Sequence, residues 1–306
     1  MRQDVEFNAE GTTLRGWWFT PEAGAGPYPT VVATHGFGAT KEMGIAAFAE
    51  AFAAAGMACL VYDHRNLGAS DGEPRQEIDP WAQVADYRHA ITYVSGLDEA
   101  DADRIGIFGT SYSGGHVIAV AAWDRRVKCV YSQVPHLSGA LSSARLVRSD
   151  KKLDYHARFE EDRARRFAGE EPARIQMMNG DPDGEAAMPN REGSAWFAGI
   201  DPDDLEGFRN DVTLRSIEMF WEYEPALLVD QVSPTPLMMV VMDEDVLTQT
   251  DAAYRTYELA LQPKRLVSLP GGHFEIYNRH LEKALELSAS FFAEHLVSSS
   301  SVPAGA

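Results

Sequence analysis

Cysteine is scarce: Cys59 and Cys129 are the only two in 306 residues, each inside an apolar run, MACLVY and VKCVY. They supply neither a disulfide framework nor the clustered thiolates of a zinc site, and they read as two separately buried thiols. Positive charge is also scarce. Lys and Arg number 27 against 46 Asp and Glu, a formal charge of −19, which repels phosphate backbones and anionic lipid, so no nucleic acid partner is expected. Long apolar runs are missing, since no segment approaches the roughly 18 residues that a membrane span needs. The N-terminal MRQDVEFNAEG carries charges where a secretory leader would be apolar, so the expectation is a cytoplasmic protein with no membrane partner. Neither a Walker nor a Rossmann glycine pattern occurs, and Asp181, Asp183 and Glu185 lack the length of a calcium loop. No cofactor and no metal are expected.

What remains is the composition of a globular chain, 45% hydrophobic and 24% charged, long enough for one large core with an insertion. VEFNAE and LRGWWFTP alternate around Gly11 as an antiparallel hairpin. Thereafter short apolar runs bounded by Gly or Pro (TVVATHG, ACLVYD, RIGIFG, VKCVYSQVP, PLMMVVM and RLVSLPGG) alternate with helical stretches. EMGIAAFAEAFAAAG closes on Gly56 as a C-cap, and DPWAQVADYRHAITYVSG opens on Asp79 with Pro80 at its first position. The fold class predicted is α/β: a doubly wound, mostly parallel sheet.

One link breaks the rhythm. About a hundred residues separate the strand ending at Pro135 from the one near Pro236, so this interval holds an insertion. It contains two helical stretches, KKLDYHARFEEDRARRFAG and TLRSIEMFWEYEPALLV, around a Gly-, Asp- and Pro-rich loop. The predicted organisation is a core of residues 1–135 and 226–296, a mainly helical cap of 136–225, and a frayed tail of 297–306. The basic run from Arg158 to Arg166 reads as a self-paired solvated helix, with Arg158/Asp162, Glu161/Arg165 and Asp162/Arg166 spaced i,i+4.

In an open parallel sheet ligands bind beyond the carboxyl ends of the strands, and four of those ends carry chemistry. RIGIF is followed by Gly109-Thr110-Ser111-Tyr112-Ser113-Gly114-Gly115 and an apolar helix, a strand-turn-helix that can present a serine hydroxyl. Ser111 is favoured over Ser113 as nucleophile because it falls directly after the strand, although Ser113 stands where the usual elbow has glycine. A serine needs an imidazole held by a carboxylate. His273, in the Gly-Gly loop after the last strand, is the candidate, with His64 and His136 in reserve. After PLMMVVM comes Asp243-Glu244-Asp245, of which Asp245 is preferred because two further residues clear the strand end. His35-Gly36-Phe37-Gly38 follows the first parallel strand, so the backbone N–H groups of Phe37 and Tyr112 are candidates for an oxyanion hole.

HGFGATKEM, YDHRNLGASDGEPR, GTSYSGG, SPTPLMMVVMDED and LPGGHF, in this order, resemble the α/β-hydrolase superfamily. The nearest likeness is to the dienelactone-hydrolase-like branch with its bacterial esterase-like proteins, fungal polyketide transferases and thiohydrolases. The resemblance spans residues ~1–135 and ~225–296 and implies Ser111, Asp245 and His273 as a triad with Phe37 and Tyr112 as oxyanion donors. It also implies that Asp63, Arg65, Gly68 and Ser70 tie a loop near the site. True dienelactone hydrolases differ in using cysteine, and dehalogenases and epoxide hydrolases in using aspartate at the elbow. Among the cap aromatics, Trp196 and Trp221 are candidate pocket residues, and His136 a candidate substrate contact. The expected activity is cleavage of a small carboxylic ester or thioester through an acyl-enzyme. The alternatives are acyl transfer to an alcohol or amine, peptide cleavage, and a non-catalytic binding module. Self-association as a homodimer stays open.

Overall fold

A computed structural model describes residues 1–181 and 184–297. The opening hairpin is β1 (Arg2–Ala9) and β2 (Thr12–Phe19). The parallel runs form β3 (Tyr28–Thr34), β4 (Ala58–Tyr62), β5 (Ala100–Thr110) and β6 (Val127–Gln133). Four short strands in the cap, β7 (Arg174–Gln176), β8 (Met178–Asn179), β9 (Met188–Pro189) and β10 (Asp211–Thr213), precede β11 (Leu237–Met242) and β12 (Lys264–Leu269). The eight-stranded sheet runs β1-β2-β4-β3-β5-β6-β11-β12, antiparallel through β1, β2 and β4 and parallel from β4 onward.

Strands β4 and β11 are buried along their whole length, because helices cover both faces. On one face α1 (Ile45–Ala54) and α9 (Leu281–Phe292) enclose Phe48, Phe52, Phe108 and Phe292. On the other, α2 (Pro80–Ser95), α3 (Tyr112–Trp123) and α8 (Thr250–Leu259) enclose Tyr87, Val117 and Ile107. The predicted Asp79 cap is present, its carboxylate accepting from the N–H groups of Trp81 and Ala82 at 3.0 and 3.1 Å. Helix α1 is shorter at both ends than its sequence pattern. It starts after Gly44, whose φ of 88° no helix admits, and its C-cap is Ala55, with Gly56 (φ 85°) one residue beyond. Cys59 and Cys129 are buried and free.

The inserted segment, the expected cap, carries the helices α4 (Gly139–Leu146), α5 (Ser149–Phe167), α6 (Arg191–Ala198) and α7 (Leu214–Glu222). It also holds two small sheets, β7 with β10 and β8 with β9, whose two- and three-residue strands leave no periodicity to read. The stretch TLRSIEMFWEYEPALLV is not one helix. It stops at Glu222 and resumes as a 3₁₀ turn over Pro225–Val232, because Pro225 disfavours helical backbone at Glu224. Of the three i,i+4 pairs expected on α5 only Asp162–Arg166 forms, at 2.8 Å; Arg158 bonds Glu185 and Arg165 bonds Glu170. Arg158 thus ties α5 to the loop before β9, while Arg165 bonds just beyond the end of its own helix. Residues 298–306 of the expected tail, and Asp183, lie outside the described residues. Among the described residues no helix is long and apolar enough to cross a membrane.

Candidate active site

Strand β5 ends at Thr110 and α3 begins at Tyr112, leaving Ser111 alone to reverse the chain. Its backbone sits at φ 56°, ψ −117°, a region that costs an L-residue of order 1–3 kcal/mol and persists only where surroundings impose it. They do so here with three backbone bonds: Ser111 N–H donates to Gln133 O at 2.9 Å, and its carbonyl accepts from Gly114 and His136 at 3.0 and 2.9 Å. The turn is also crowded. A Cβ on Gly109 would lie 2.0 Å from the Ser113 carbonyl oxygen, and one on Gly36 would lie 2.9 Å from Ser111 Cβ. Glycine at 36 thus lets the turn after β3, with Phe37, approach the serine.

Ser111 Oγ lies 3.1 Å from His273 Nε2, and His273 Nδ1 lies 2.7 Å from Asp245 Oδ2. All three follow different strands, β5, β12 and β11. Asp245 is held by four donors. Leu247 and Thr248 N–H both bond Oδ1 at 2.8 Å, while the Thr248 hydroxyl and the imidazole bond Oδ2. Burial pushes the Asp245 carboxyl up, but the charge and hydrogen bond of His273, with the Thr248 bonds, outweigh it and hold the carboxyl below its usual value. An ionised Asp245 assigns the ring proton to Nδ1 and leaves the Nε2 lone pair facing the serine hydroxyl. Asp243 faces elsewhere: its Oδ1 accepts from Gly271 N–H at 2.9 Å.

Ser113, the other candidate, is 0% exposed and its hydroxyl donates to His35 O at 2.5 Å, with Thr34 Oγ1 at 2.8 Å and His64 Nε2 at 2.9 Å. It ties the turn after β3 to the helix behind the elbow. His64 and His136, the reserve bases, are buried and neutral; burial pushes His64 far down and His136 to about 3. Among the described residues neither the Phe37 nor the Tyr112 N–H meets an acceptor. The Phe37 turn is braced further on, where Asp63 accepts from Lys41 N–H at 2.7 Å, Lys41 Nζ at 2.8 Å and Ala69 N–H at 2.9 Å. Ser70 bonds the Asp63 carbonyl, and Arg65 grips Asp86 with two bonds of 2.8 and 2.5 Å.

Above the serine is a cavity whose walls include Met178, Met188, Trp196, Phe197, Phe274 and Tyr277. Trp196 therefore reaches the cavity. Trp221 does not line it and packs inside the cap, its ring 5.4 Å from Tyr155 and 5.1 Å from Phe159. His136 also lies outside the lining, its ring tilted against Phe220 with centres 4.3 Å apart. Thr248 and Tyr277 went unseen in the sequence. A signal existed for each: Thr248 sits three residues after Asp245, the spacing at which a capping Asp accepts from a following N–H, and Tyr277 one helical turn after His273. For Met178 and Met188, on two-residue strands, there was none.

A family model described as X-Pro dipeptidyl-peptidase (S15 family) matches residues 10–275. An acyltransferase, drtE, from Aspergillus calidoustus is 32% identical over 84% of this chain and 81% of its own length. A thiohydrolase from Eupenicillium brefeldianum is 31% identical over 90% and 88%. Among solved structures, the α/β hydrolase GrgF from Penicillium sp. sh18 superposes with a TM-score of 0.84 at 28% identity, over 97% of this chain and 99% of that one.

Proposed function

This chain belongs to the S15 family and to the polyketide-transferase-like branch of the α/β hydrolases, and on that premise we propose that it is a serine esterase or thioesterase working through an acyl-enzyme. Ser111 Oγ attacks the acyl carbon and its proton passes to His273 Nε2. Asp245 stabilises the imidazolium and keeps the ring in one tautomer. The oxyanion of the tetrahedral intermediate is received by the N–H groups of Phe37 and Tyr112. Collapse expels the alkoxide or thiolate, which takes the proton from His273, and water activated by the same ring then releases the acid. Residues 136–225 act as the lid that selects the acyl group.

The observation that carries this reading is the hydrogen-bonded line Asp245–His273–Ser111 at 2.7 and 3.1 Å opening into an apolar cavity. Among the described residues that line the cavity none is Asp, Glu, Lys or Arg, which favours a neutral, apolar or aromatic acyl group. It disfavours a peptidase that must receive a free amino terminus, since no carboxylate there would meet the ammonium. Acyl transfer is the second reading, favoured by the name of the drtE relative, and differs only in whether an alcohol or amine replaces water. A fluorophosphonate probe tests the chemistry: wild type and Ser113→Ala are expected to be labelled and Ser111→Ala not. Labelling that survives Ser111→Ala would overturn the assignment. Adding an acceptor alcohol to an ester assay and counting ester against acid products decides between water and transfer.

A further inference from the structure

The catalytic histidine of this reading is gripped from two sides. Its ring is held by Asp245, and its backbone turn, residues 272–277, is held by the cap. The Phe274 N–H donates to Oε1 of Glu192 at 2.8 Å, across 82 residues of sequence. Glu192 belongs to the first turn of α6, whose start is fixed by Asn190 accepting from Gly193 N–H at 2.7 Å. Room for the carboxylate comes from Gly272, where a Cβ would lie 2.7 Å from either Glu192 oxygen. One helical turn on, Trp196 covers Phe274 and Tyr277 with ring centres 5.2 and 5.4 Å away. Tyr277 in turn bonds Thr110 Oγ1 at 2.6 Å, next to the serine. The face of α6 that holds this turn also walls the cavity, through Trp196 and Phe197.

From this geometry we infer that Glu192 is a positioning residue that sets His273 against Ser111 and makes the alignment depend on how firmly α6 is seated. The Phe274 N–H belongs to the planar peptide unit that begins at the Cα of His273, so a hydrogen bond to it holds that Cα and the imidazole inherits its placement from the cap as well as from Asp245. An acyl group filling the cavity presses on Trp196 and Phe197 and seats α6; a small one does not. The inference rests on His273 serving as base. It assigns Glu192 no contact with substrate and no role for its charge, only its acceptor oxygen.

The test compares wild type with Glu192→Ala, Glu192→Gln and Gly272→Ala. The last keeps the carboxylate but intrudes on its place, at a backbone φ of −86° that alanine adopts freely. On p-nitrophenyl acetate, Glu192→Ala and Gly272→Ala should lose kcat by about ten- to hundred-fold, the scale of an ångström-level misplacement, with KM within about twofold. On the benzoate ester, whose bulkier acyl group is the one expected to press on Trp196 and Phe197, the loss should be smaller. Glu192→Gln, whose amide oxygen still accepts, should recover most of kcat. The far-downfield proton resonance of His273 Nδ1–H should be sharp in wild type and Glu192→Gln and broadened in Glu192→Ala. Wild-type kcat and an unchanged resonance in folded Glu192→Ala would overturn the inference, as would Glu192→Gln failing like Glu192→Ala or equal losses on both esters. If wild type neither turns over esters nor takes the probe, the hydrolase reading fails, and the resonance still decides whether Glu192 places the ring.

Discussion

Lowering the pH from 7.5 to 5.0 should strip several kcal/mol from this protein through its buried histidines. His116 is wedged behind the elbow, its ring nitrogens 3.0 Å from Tyr223 OH and from Gln83 Oε1. His136 stands nearby, its ring 5.3 Å from that of Tyr112. Burial pushes both imidazoles down to about 3, with neighbouring histidines adding to the effect at His116. The unfolded chain binds these protons with a pKa near 6.5 and the folded one refuses them. The unfolded state therefore holds more protons between pH ~6.5 and ~3, and stability falls as pH falls through that window. At pH 5.0, some 1.5 units below the unfolded value, each histidine withdraws about 2 kcal/mol at 1.36 kcal/mol per unit, so the pair withdraws about 4. A shift of one unit in the folded value changes little, because pH 5.0 still lies above it. His35 and His64, both lowered by burial, act in the same direction. Against a domain stability of ~5–15 kcal/mol this is a large fraction. Urea midpoints at pH 7.5, 6.5, 5.5 and 5.0 and constant ionic strength measure it, and His116→Gln should remove about half of the slope that the pair contributes. A midpoint independent of pH over that range would refute the reasoning.

Two catalytic predictions accompany the labelling and Glu192 experiments. Asp245→Asn should lower kcat by about 10⁴ with little change in KM, because an amide orients the ring without stabilising the imidazolium, whereas Asp243→Asn should leave kcat near wild type. Steady-state kinetics on one short ester checks both. Trp196→Ala should shift the preferred acyl chain toward larger groups and, because Trp196 also packs on the turn that carries His273, lower acetate turnover as well. Trp221→Ala should instead lower the thermal midpoint through lost packing on Tyr155 and Phe159, without changing chain preference. Chain preference that moves with Trp221 and not with Trp196 would reverse the roles given to these side chains.

The parallel core was legible because each buried strand is a run of apolar residues that ends in a turn signal, and position after a strand pointed to Ser111 and His273, whose side chains meet at 3.1 Å. The choice among three acids was also readable in outline. Asp243 still belongs to the sheet, its N–H bonding Leu269 O at 2.9 Å, so its side chain cannot turn back over the strand ends as Asp245 does. What escaped lay in the cap. Its strands are too short to show a period, and its aromatics look alike in sequence although Trp196 faces the cavity and Trp221 the cap interior. Arg158 and Arg165 found partners in space that helical spacing does not forecast. Glu192 could not be seen at all, because its meaning comes from a backbone N–H on the far side of the insertion.

The entry and exit of that insertion are stitched together. Ala226 N–H bonds Leu137 O at 3.1 Å, Gly139 N–H bonds Tyr223 O at 2.8 Å, and the Glu224 carboxylate accepts from Ser138 Oγ and Ala140 N–H at 3.0 and 2.7 Å. A segment that leaves and returns through one such stem is like a graft on a rootstock: on the proposed reading the strand ends that carry Ser111, Asp245 and His273 need only the stem, and whatever is spliced above it would set the taste for substrate. Recombination at Leu137 and Ala226 would exchange one lid for another in a single event. The incoming lid would then have to bring its own acceptor for the Phe274 N–H, so the exchange trades specificity freely but carries alignment of the histidine as a condition.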